Sequence, residues 1–362
     1  MVIGAGPAGI ATAIAANLRG LRAKVLDCRK PPIAKACGEG LLPEAVSNLV
    51  HLGIKLDSCH GYPFRGISFS DQESSASARI SGGTGYGVRR STLHSLLVER
   101  ASDLGVVFHW GIRVTGFDTR GAFVDGAYMP CKWLIGADGQ NSCVGKWANL
   151  NSKPPRFSRF GFSRHYAASP WNDLVEVHWG PGCQMFVTPT ANDEVCVAVL
   201  SHDPQLRIDR ALVHFPVIAE HLKQARPRTA ELGSVTALGR ARRVVRRNVA
   251  LVGDASFTVD GIAGLGLSLA FEQAILVADA IAHEDLTYYE TAHRKISATP
   301  WRMTRLLLLM DQSTWVRRKA LRLFARNPAM FSRMMSAHLA QTASETLHAT
   351  ELLGLGWQVL RA

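Results

Sequence analysis

A glycine-rich turn at residues 4–9 constrains the fold of this chain more than any other feature. The apolar run Met1–Ile3 precedes the turn, and apolar residues at helical spacing follow it. A strand, turn and helix of this kind form a dinucleotide-binding unit. Gly4 permits the turn, Gly6 lets a pyrophosphate approach the backbone, and Gly9 lets the helix pack on the strand. The N–H groups at the helix N-terminus then bind the negative charge.

The second strand supports this interpretation. It ends at Asp27, which lies 18 residues beyond Gly9, where a carboxylate that accepts hydrogen bonds from an adenosine ribose is expected. Only three residues precede Gly4, so either the first strand is short or the chain lacks a few N-terminal residues. We expect no signal peptide, because the turn begins at residue 4.

Length and cysteine content limit the class of protein. A chain of 362 residues suggests two domains, and no run of 18 apolar residues predicts a membrane-spanning helix. The cysteines are odd in number and contain no CxxC pair, so we expect reduced thiols in a cytoplasmic protein, without disulfides or a metal site. They are Cys28, Cys37, Cys59, Cys131, Cys143, Cys183 and Cys196.

The formal net charge is +12, and much of it lies in the last fifth of the chain. Residues 294–362 contain eleven Lys or Arg and three Asp or Glu. A basic surface of this kind contacts an acidic partner protein or an anionic membrane face, or it is simply solvated. The basic run at residues 240–247 directly precedes an apolar strand. We therefore interpret it as a solvated turn and expect no nucleic-acid binding.

Further segments place ligand-binding groups at the ends of predicted strands. The apolar run Trp133–Ile135 is followed by a Gly-Ala-Asp-Gly turn that contains Asp138. The apolar run Val249–Val252 is followed by Gly253 and Asp254, and a second glycine-rich helix start comes soon after. Because ligands of parallel sheets bind at the carboxyl ends of the strands, both acidic residues are candidate binding groups.

Two other segments are candidates for contact with the ligand. Arg90 precedes a predicted helix, from which it can reach a phosphate. Small or flexible residues surround Glu39 in the segment Lys35–Leu41, and they predict a backbone that passes close to a flat ligand or bends sharply.

The middle of the chain is rich in predicted strands. Residues 64–80 alternate apolar and polar side chains around a serine-rich turn, which predicts a hairpin, and residues 154–235 predict an antiparallel sheet inserted in the α/β frame. We expect substrate contacts on the inward face of this sheet. The candidates are Arg159, His165, His178, Trp179 and Met185. The last seventy residues predict amphipathic helices.

Three signatures in one order resemble the FAD-dependent oxidoreductases of the p-hydroxybenzoate hydroxylase (PHBH) fold, in the class A flavoprotein monooxygenase superfamily. They are GAGPAG, GADGQNS, and GDA followed by GLGLSLA, and the resemblance covers residues 1 to about 290. Lys35–Gly38, and Asp260 before Gly264, are similar to the geranylgeranyl reductase and FixC-like branch. Glu39 departs from that branch, whose reductases usually carry glycine there.

The resemblance implies an α/β fold with three parts. These are a discontinuous Rossmann-like FAD-binding domain of the GR2/PHBH type at residues 1–62, 86–150 and 236–290, an inserted antiparallel β-sheet substrate domain at residues 63–85 and 151–235, and a basic C-terminal helical segment at residues 291–362.

The resemblance also implies which residues bind FAD. Gly4, Gly6, Pro7, Ala8 and Gly9 would hold the pyrophosphate, and Asp27 the adenosine ribose. Arg90 would reach the pyrophosphate or the ribityl chain, Val114 would lie beside the adenine, and Asp254 would bind the ribityl chain. Asp138 would bridge the FAD site and the region of the reductant or pyrophosphate. Gly264, Gly266 and Leu267 would face the N1–C2=O edge of the ring, and Cys37, Gly38, Gly253 and Leu265 complete the set.

The implied activity is that of an FAD-dependent oxidoreductase whose flavin is reduced by transiently bound NAD(P)H or by another donor. The first hypothesis is hydroxylation of a hydrophobic or carrier-linked substrate with O₂. The alternative is reduction of a carbon–carbon double bond, as in geranylgeranyl reductases. A second alternative is a flavin-bound accessory protein without turnover that docks an acidic carrier protein or a membrane. Cys37, Glu39 and Asp260 are the candidates for chemistry near the ring.

Overall fold

The structure is a computed structural model that describes residues 1–80, 82–150 and 158–338. Residues 81 and 151–157 of the predicted substrate domain and residues 339–362 of the predicted C-terminal segment lie outside the described residues.

The strands, in chain order, are β1 (Val2–Ile3), β2 (Lys24–Asp27), β3 (Gly40–Leu41), β4 (Tyr62–Phe64), β5 (Gly66–Ser70), β6 (Ser75–Arg79), β7 (Gly85–Gly87), β8 (Val107–Trp110), β9 (Val114–Phe117), β10 (Gly121–Val124), β11 (Ala127–Pro130), β12 (Leu134–Gly136), β13 (Arg159–Ala167), β14 (Leu174–Gly180), β15 (Cys183–Ala191), β16 (Glu194–Ser201), β17 (Arg226–Pro227), β18 (Leu232–Thr236), β19 (Gly239–Arg240), β20 (Val245–Arg246), β21 (Val249–Leu251) and β22 (Phe257–Thr258).

The α-helices are α1 (Pro7–Asn17), α2 (Pro43–His51), α3 (Arg90–Asp103), α4 (Cys143–Trp147), α5 (Ile208–Ala211), α6 (Pro216–Leu222), α7 (Gly266–Ala282), α8 (Leu286–Gln312), α9 (Thr314–Arg326) and α10 (Pro328–His338). Short 3₁₀ helices occupy Leu212–His214, Gly253–Ala255 and Gly261–Ala263.

A six-stranded sheet carries the predicted dinucleotide-binding turns. Its order is β20-β21-β12-β1-β2-β8, and all neighbours are parallel except β20, which is antiparallel to β21. Alternate residues of a strand face opposite sides of the sheet, so Val2 packs among helices α1, α3 and α7, whereas Ile3 packs on the other side. That second side is covered by the antiparallel sheet β11-β10-β9 and by α4. The frame is therefore the α/β layer arrangement expected from the sequence.

An eight-stranded sheet forms the second layer system. Its order is β17-β13-β16-β15-β14-β5-β6, with β18 also paired to β13. Strands β5 and β6 form the hairpin predicted at residues 64–80, with Ser70 opposite Ser75. The hairpin joins the later strands through a parallel pairing of β5 with β14, which places Ile67 beside Val175. The predicted domain boundaries themselves remain predictions.

The C-terminal helices cover one face of this sheet. Residues of α8, α9 and α10 pack in one apolar cluster with β5, β6 and β14, as the ring contact between Phe69 and Phe331 at 5.3 Å shows. Arg318 and Arg322 of α9 pair with Glu73 in the turn of the hairpin, at 2.9 and 2.7 Å. Within the described part of the chain, no helix is both long enough and apolar enough to cross a bilayer.

Candidate functional site

A cavity of about 850 Å³ lies between the two large sheets. One end is formed by the turn after β1, by Asp27 at the end of β2, and by the turn after β12. The other end is formed by the inner face of the eight-stranded sheet and by α8 and α10. The volume is in the range of cofactor and small-molecule binding sites.

The first glycine turn has the geometry that its sequence predicts. Gly4 has φ +106°, and a Cβ there would lie 2.3 Å from the Ala137 carbonyl oxygen. A Cβ on Gly9 would lie 1.9 Å from the Gly4 carbonyl oxygen, so only glycine lets α1 pack this closely. A Cβ on Gly6 would meet no protein atom within 4 Å. Gly6 precedes α1 without a side-chain cap, so the helix N-terminus can bind an anion.

Asp27 and His94 hold this turn in place. The Ala5 N–H donates to Asp27 Oδ2 at 2.7 Å, and the Arg29 N–H donates to Oδ1 at 2.8 Å. The buried His94 Nε2 lies 3.0 Å from the Ala5 carbonyl oxygen. Burial lowers the pKa of His94, so the neutral ring can donate to that carbonyl. His94 was not predicted from the sequence, although a histidine on the apolar face of α3 was the available signal.

The second glycine turn lies across the cavity. Asp260 caps the 3₁₀ turn by accepting from the Ile262 N–H at 3.0 Å, and Gly264 follows with φ +66°. Gly266 begins α7, whose N-terminus has no side-chain cap. A Cβ on Gly264 or Gly266 would meet no protein atom within 4 Å. This turn therefore also presents backbone to the cavity.

The acidic candidates differ in what they contact. Asp254 Oδ2 lies 3.0 Å from Lys35 Nζ. Asp138 accepts from the Ser142 hydroxyl and from the Cys143 N–H at 2.5 and 2.7 Å, so its carboxylate holds the start of α4. Both residues line the cavity.

Most of the predicted cofactor-binding residues line this one cavity. They are Gly4, Gly6, Pro7, Ala8, Asp27, Cys37, Gly38, Arg90, Val114, Asp138, Gly253, Asp254, Gly264, Gly266 and Leu267. Gly9 and Leu265 lie behind this lining, where Gly9 sets helix packing and Leu265 is buried beneath the second turn. The individual contact assigned to each residue remains a prediction.

The three catalytic candidates also line the cavity, in different environments. Cys37 is half-buried, and burial raises the pKa of its thiol. Glu39 is buried and lies 2.6 Å from His165. Asp260 is 2% exposed, and burial raises the pKa of its carboxyl although Arg159 lies 3.3 Å away.

None of the five substrate-contact candidates on the inserted sheet lines the cavity. Arg159 pairs with Asp260 and Asp311, and His165 turns to Glu39. Trp179 is on the same face of β14 as Val177, which lines the cavity, but the Trp179 ring packs on Phe69 with the ring centroids 5.1 Å apart.

His178 and Met185 show why register decides the outcome. Met185 packs in the apolar cluster on the opposite face, whereas its neighbour Phe186 lines the cavity. Likewise, Val177 lines the cavity, whereas its neighbour His178 does not. A shift of one residue turns a strand side chain to the other face, and the apolar pattern did not fix that choice.

The arrangement fits a flavin dinucleotide. Two helix N-termini without side-chain caps face one cavity, and glycines at both turns leave space that a Cβ would occupy. The sequence profile described as FAD binding domain matches residues 1–297. The chain belongs to this FAD-binding domain family.

Relatives of the FAD-binding protein include named reductases. Menaquinone reductase of Mycobacterium tuberculosis is 27% identical over 317 residues, which cover 79% of this chain and 77% of that protein. Digeranylgeranylglycerophospholipid reductase 1 of Methanococcoides burtonii is 26% identical over 322 residues, which cover 79% and 76%. The solved flavoprotein/dehydrogenase from Cytophaga hutchinsonii has a TM-score of 0.80 at 19% identity and covers 93% of this chain and 92% of that chain.

These similarities confirm the resemblance inferred from the three signatures. The protein is an FAD-dependent oxidoreductase with a PHBH-type fold, and its cofactor is FAD. These similarities favour an oxidoreductase with turnover over a flavin-bound accessory protein without turnover.

Replacement of Gly6 by valine is expected to remove FAD without unfolding the protein. The new side chain would meet no protein atom near Cβ but would enter the cavity at the N-terminus of α1. We expect FAD affinity to fall about 100-fold, equivalent to roughly 3 kcal/mol, measured by flavin titration of the apoprotein. In contrast, Gly9→Ala should lower the melting temperature even of the apoprotein. Stoichiometric flavin in Gly6→Val would contradict the assignment.

A buried histidine makes stability depend on pH. Gln273 Oε1 accepts from the Gly253 N–H at 2.6 Å, and Gln273 Nε2 lies 3.2 Å from His293 Nε2. Burial lowers the pKa of His293 from 6.5 to about 4. Between these values the unfolded chain binds a proton that the native protein does not bind. The free energy of unfolding should therefore decrease as pH falls from 6.5 to 4, by up to about 3 kcal/mol.

Urea titrations at several pH values measure this decrease. His293→Gln should flatten the pH dependence, whereas substitution of the exposed His51 by glutamine should leave it unchanged. An unaltered profile in His293→Gln would assign the acid sensitivity to other groups.

Proposed function

We propose that this FAD-dependent oxidoreductase reduces a carbon–carbon double bond of a long apolar substrate. The observation that carries the proposal is the apolar end of the cavity. Val175, Val177 and Phe186 form its wall on the sheet, and Leu307 of α8 and Met335 of α10 lie on the helical side. A surface of this kind binds a hydrocarbon chain and excludes water.

The names of the relatives support a reductase. One relative is named for reduction of menaquinone and the other for reduction of a digeranylgeranylglycerophospholipid. Both compounds carry polyprenyl chains, which are apolar and contain carbon–carbon double bonds. We infer that an isoprenoid chain is the substrate class.

The residues around the cavity have distinct roles in this reaction. Bound FAD would supply the electron pair, after its own reduction by NAD(P)H or another donor. The backbone N–H groups at the start of α7, near Gly264 and Gly266, would stabilise negative charge on the reduced cofactor. The Cys37 thiol stays protonated at neutral pH because burial raises its pKa. It would donate a proton to the carbon of the double bond that does not receive the electron pair.

Hydroxylation with O₂ is the competing proposal, because the same cavity would hold a substrate for either reaction. The names of the relatives favour reduction.

Contact of the basic C-terminal helices with an acidic partner or a membrane face is also a proposal. The pairing of Arg318 and Arg322 with Glu73 already neutralises part of that surface.

Anaerobic turnover tests the proposed reaction. Holoenzyme, NAD(P)H and either menaquinone or geranylgeraniol are incubated without oxygen, and the product is analysed by mass spectrometry. Reduction of a carbon–carbon double bond predicts a product heavier by two hydrogen atoms, and with menaquinone this gain must persist after any quinol has been reoxidised to the quinone in air. A requirement for O₂, with labelled oxygen in the product, would replace this proposal with hydroxylation. Absence of turnover under both conditions would refute both reactions for these probes.

A further inference from the structure

Glu39 joins three segments that surround the cavity. Its backbone has φ +61°, which is unusual for a residue with a side chain, and its carboxylate is 5% exposed. Oε1 accepts from the Arg90 N–H at 3.2 Å, and Oε2 lies 2.6 Å from His165 Nε2. The Glu39 carbonyl oxygen accepts from the Val88 N–H at 2.9 Å. A buried carboxylate in a left-handed backbone conformation is costly, which indicates a role beyond packing.

His165 connects Glu39 to the outer side of the sheet. The Thr229 hydroxyl oxygen accepts from the His165 N–H at 3.1 Å and lies 3.3 Å from His165 Nδ1. With its oxygen occupied in this way, the hydroxyl can donate its hydrogen to Nδ1. Because Nδ1 then accepts a hydrogen bond, the proton of the His165 ring is on Nε2, and Nε2 donates to Glu39. Thr229 is half-buried, so this end of the chain of hydrogen bonds can meet water.

Glu39 also lies beside Cys37. The Glu39 N–H donates to Cys37 Sγ at 3.3 Å, and both residues line the cavity. Burial is the main cause that raises the pKa of Cys37, and the charge of Glu39 raises it further against the effect of Arg90. The carboxylate and the thiol therefore sense each other electrostatically.

Two arginines in this region, Arg89 and Arg228, already have an acidic partner. Arg89 pairs with Glu194, and Arg228 lies 3.4 Å from the same carboxylate. Burial opposes ionisation of Glu194, but its hydrogen bond with Arg89 holds the pKa low. Cys196 Sγ lies within 4.8 Å of a Glu39 carboxylate oxygen and of a His165 ring nitrogen. The same thiol is 3.6 Å from the Cys37 carbonyl oxygen. Burial raises the pKa of Cys196 well above its ordinary value, so this thiol is uncharged.

We propose that His165 and Glu39 form a proton relay that returns a proton to Cys37 after each turnover. The inference rests on the proposed function and adds the route of its proton. In the reaction, the Cys37 S–H bond breaks as its proton joins the alkene carbon. The Glu39 carboxylate then accepts the Nε2 proton of His165 and transfers it to the thiolate, so Glu39 is ionised again at the end of the step. Water regenerates His165 through Thr229, so one proton from solvent is consumed per double bond reduced.

Single and multiple turnovers separate this relay from a structural role. Cys37 begins in the protonated form, so chemically reduced Glu39→Gln holoenzyme should transfer electrons to geranylgeraniol or menaquinone in the first turnover within about twofold of the wild-type rate. Steady-state turnover should fall roughly 10- to 100-fold, with a larger solvent deuterium isotope effect. Equal slowing of both phases would show a structural defect and overturn the relay, and so would no slowing of either.

Two further variants distinguish loss of proton transfer from a structural defect. Glu39→Gly suits the left-handed backbone, and added formate should restore its steady-state rate by delivering the missing proton. Failure of formate to accelerate a folded Glu39→Gly enzyme would contradict the relay. Glu176→Gln is the matched control, because Glu176 is a buried carboxylate 2.7 Å from His178 on the same sheet and does not line the cavity. It should leave both phases unchanged.

A readout without turnover separates failure of the relay from failure of the proposed function. The rate of Cys37 alkylation by iodoacetamide is followed against pH by mass spectrometry. Loss of the Glu39 charge should move the profile of Glu39→Gln to lower pH, whereas Glu176→Gln should match wild type. An unmoved profile overturns the relay. A moved profile in an enzyme that reduces no probe refutes the proposed reaction and retains the link between Glu39 and Cys37.

Discussion

Replacement of Arg159 by methionine is expected to lower the free energy of unfolding by about 3–5 kcal/mol. The Arg159 guanidinium is 3% exposed and lies 3.3 Å from Asp260 and 2.7 Å from Asp311. Without it, the buried Asp260 carboxylate and the largely buried Asp311 carboxylate lose the cation that pairs with both. Chemical denaturation at pH 8 measures the loss. Because burial raises the pKa of Asp260 and its protonation relieves the repulsion, the loss should become smaller as pH falls.

A surface pair supplies the control. Arg79 pairs with Asp173 through a guanidinium that is 66% exposed. Arg79→Met should therefore change the free energy of unfolding by less than about 1 kcal/mol. Equal effects of the two substitutions would show that burial does not determine the strength of the Arg159 network. The Arg159 variant should also bind FAD more weakly, because Asp260 begins the turn that leads to Gly264.

Replacement of Cys37 by alanine is expected to reduce kcat by about 10²- to 10⁴-fold. The variant loses the proposed proton donor but keeps the glycine turns. It should therefore retain FAD, and a donor that reduces the wild-type flavin, NAD(P)H in the proposed reaction, should reduce the variant at the same rate in stopped-flow experiments. Cys37→Ser should be nearly as slow, since a hydroxyl is a much weaker acid than a thiol.

The control for Cys37 is an exposed cysteine outside the cavity lining. Cys59→Ala should leave kcat and flavin content unchanged. Full activity in Cys37→Ala would assign proton donation to another group. In wild type, kcat should decline only at alkaline pH, because burial holds the pKa of Cys37 above its ordinary value.

The parts of the site that were predictable depend on local backbone geometry. Gly4 and Gly9 are required by contacts within one strand–turn–helix unit, so short spacing in the sequence reports them directly. Asp27 follows from the same unit, because the end of β2 lies beside the turn and its carboxylate accepts from the Ala5 N–H. The second turn at Gly264 was recognisable for the same reason.

The remaining features depend on contacts between distant parts of the chain. Arg159 and Asp311 are 152 residues apart, and Glu39 and His165 are 126 apart. Nothing in the local pattern of β13 shows that Arg159 pairs with Asp311 of a C-terminal helix. The left-handed backbone of Glu39 was equally hidden, because its sequence neighbours are compatible with several turns.

The parallel pairing of β5 with β14 limits how this protein can be recombined with its relatives. A chimera that exchanges residues 159–236 alone would set a foreign β14 against the native β5, and any mismatch would leave an open strand edge prone to aggregation. Residues 66–79 must travel with the later strands, although some eighty residues separate them in the gene. The sheet side of the apolar cavity wall is therefore inherited as two separated sequence blocks, and α8 and α10 contribute the helical side.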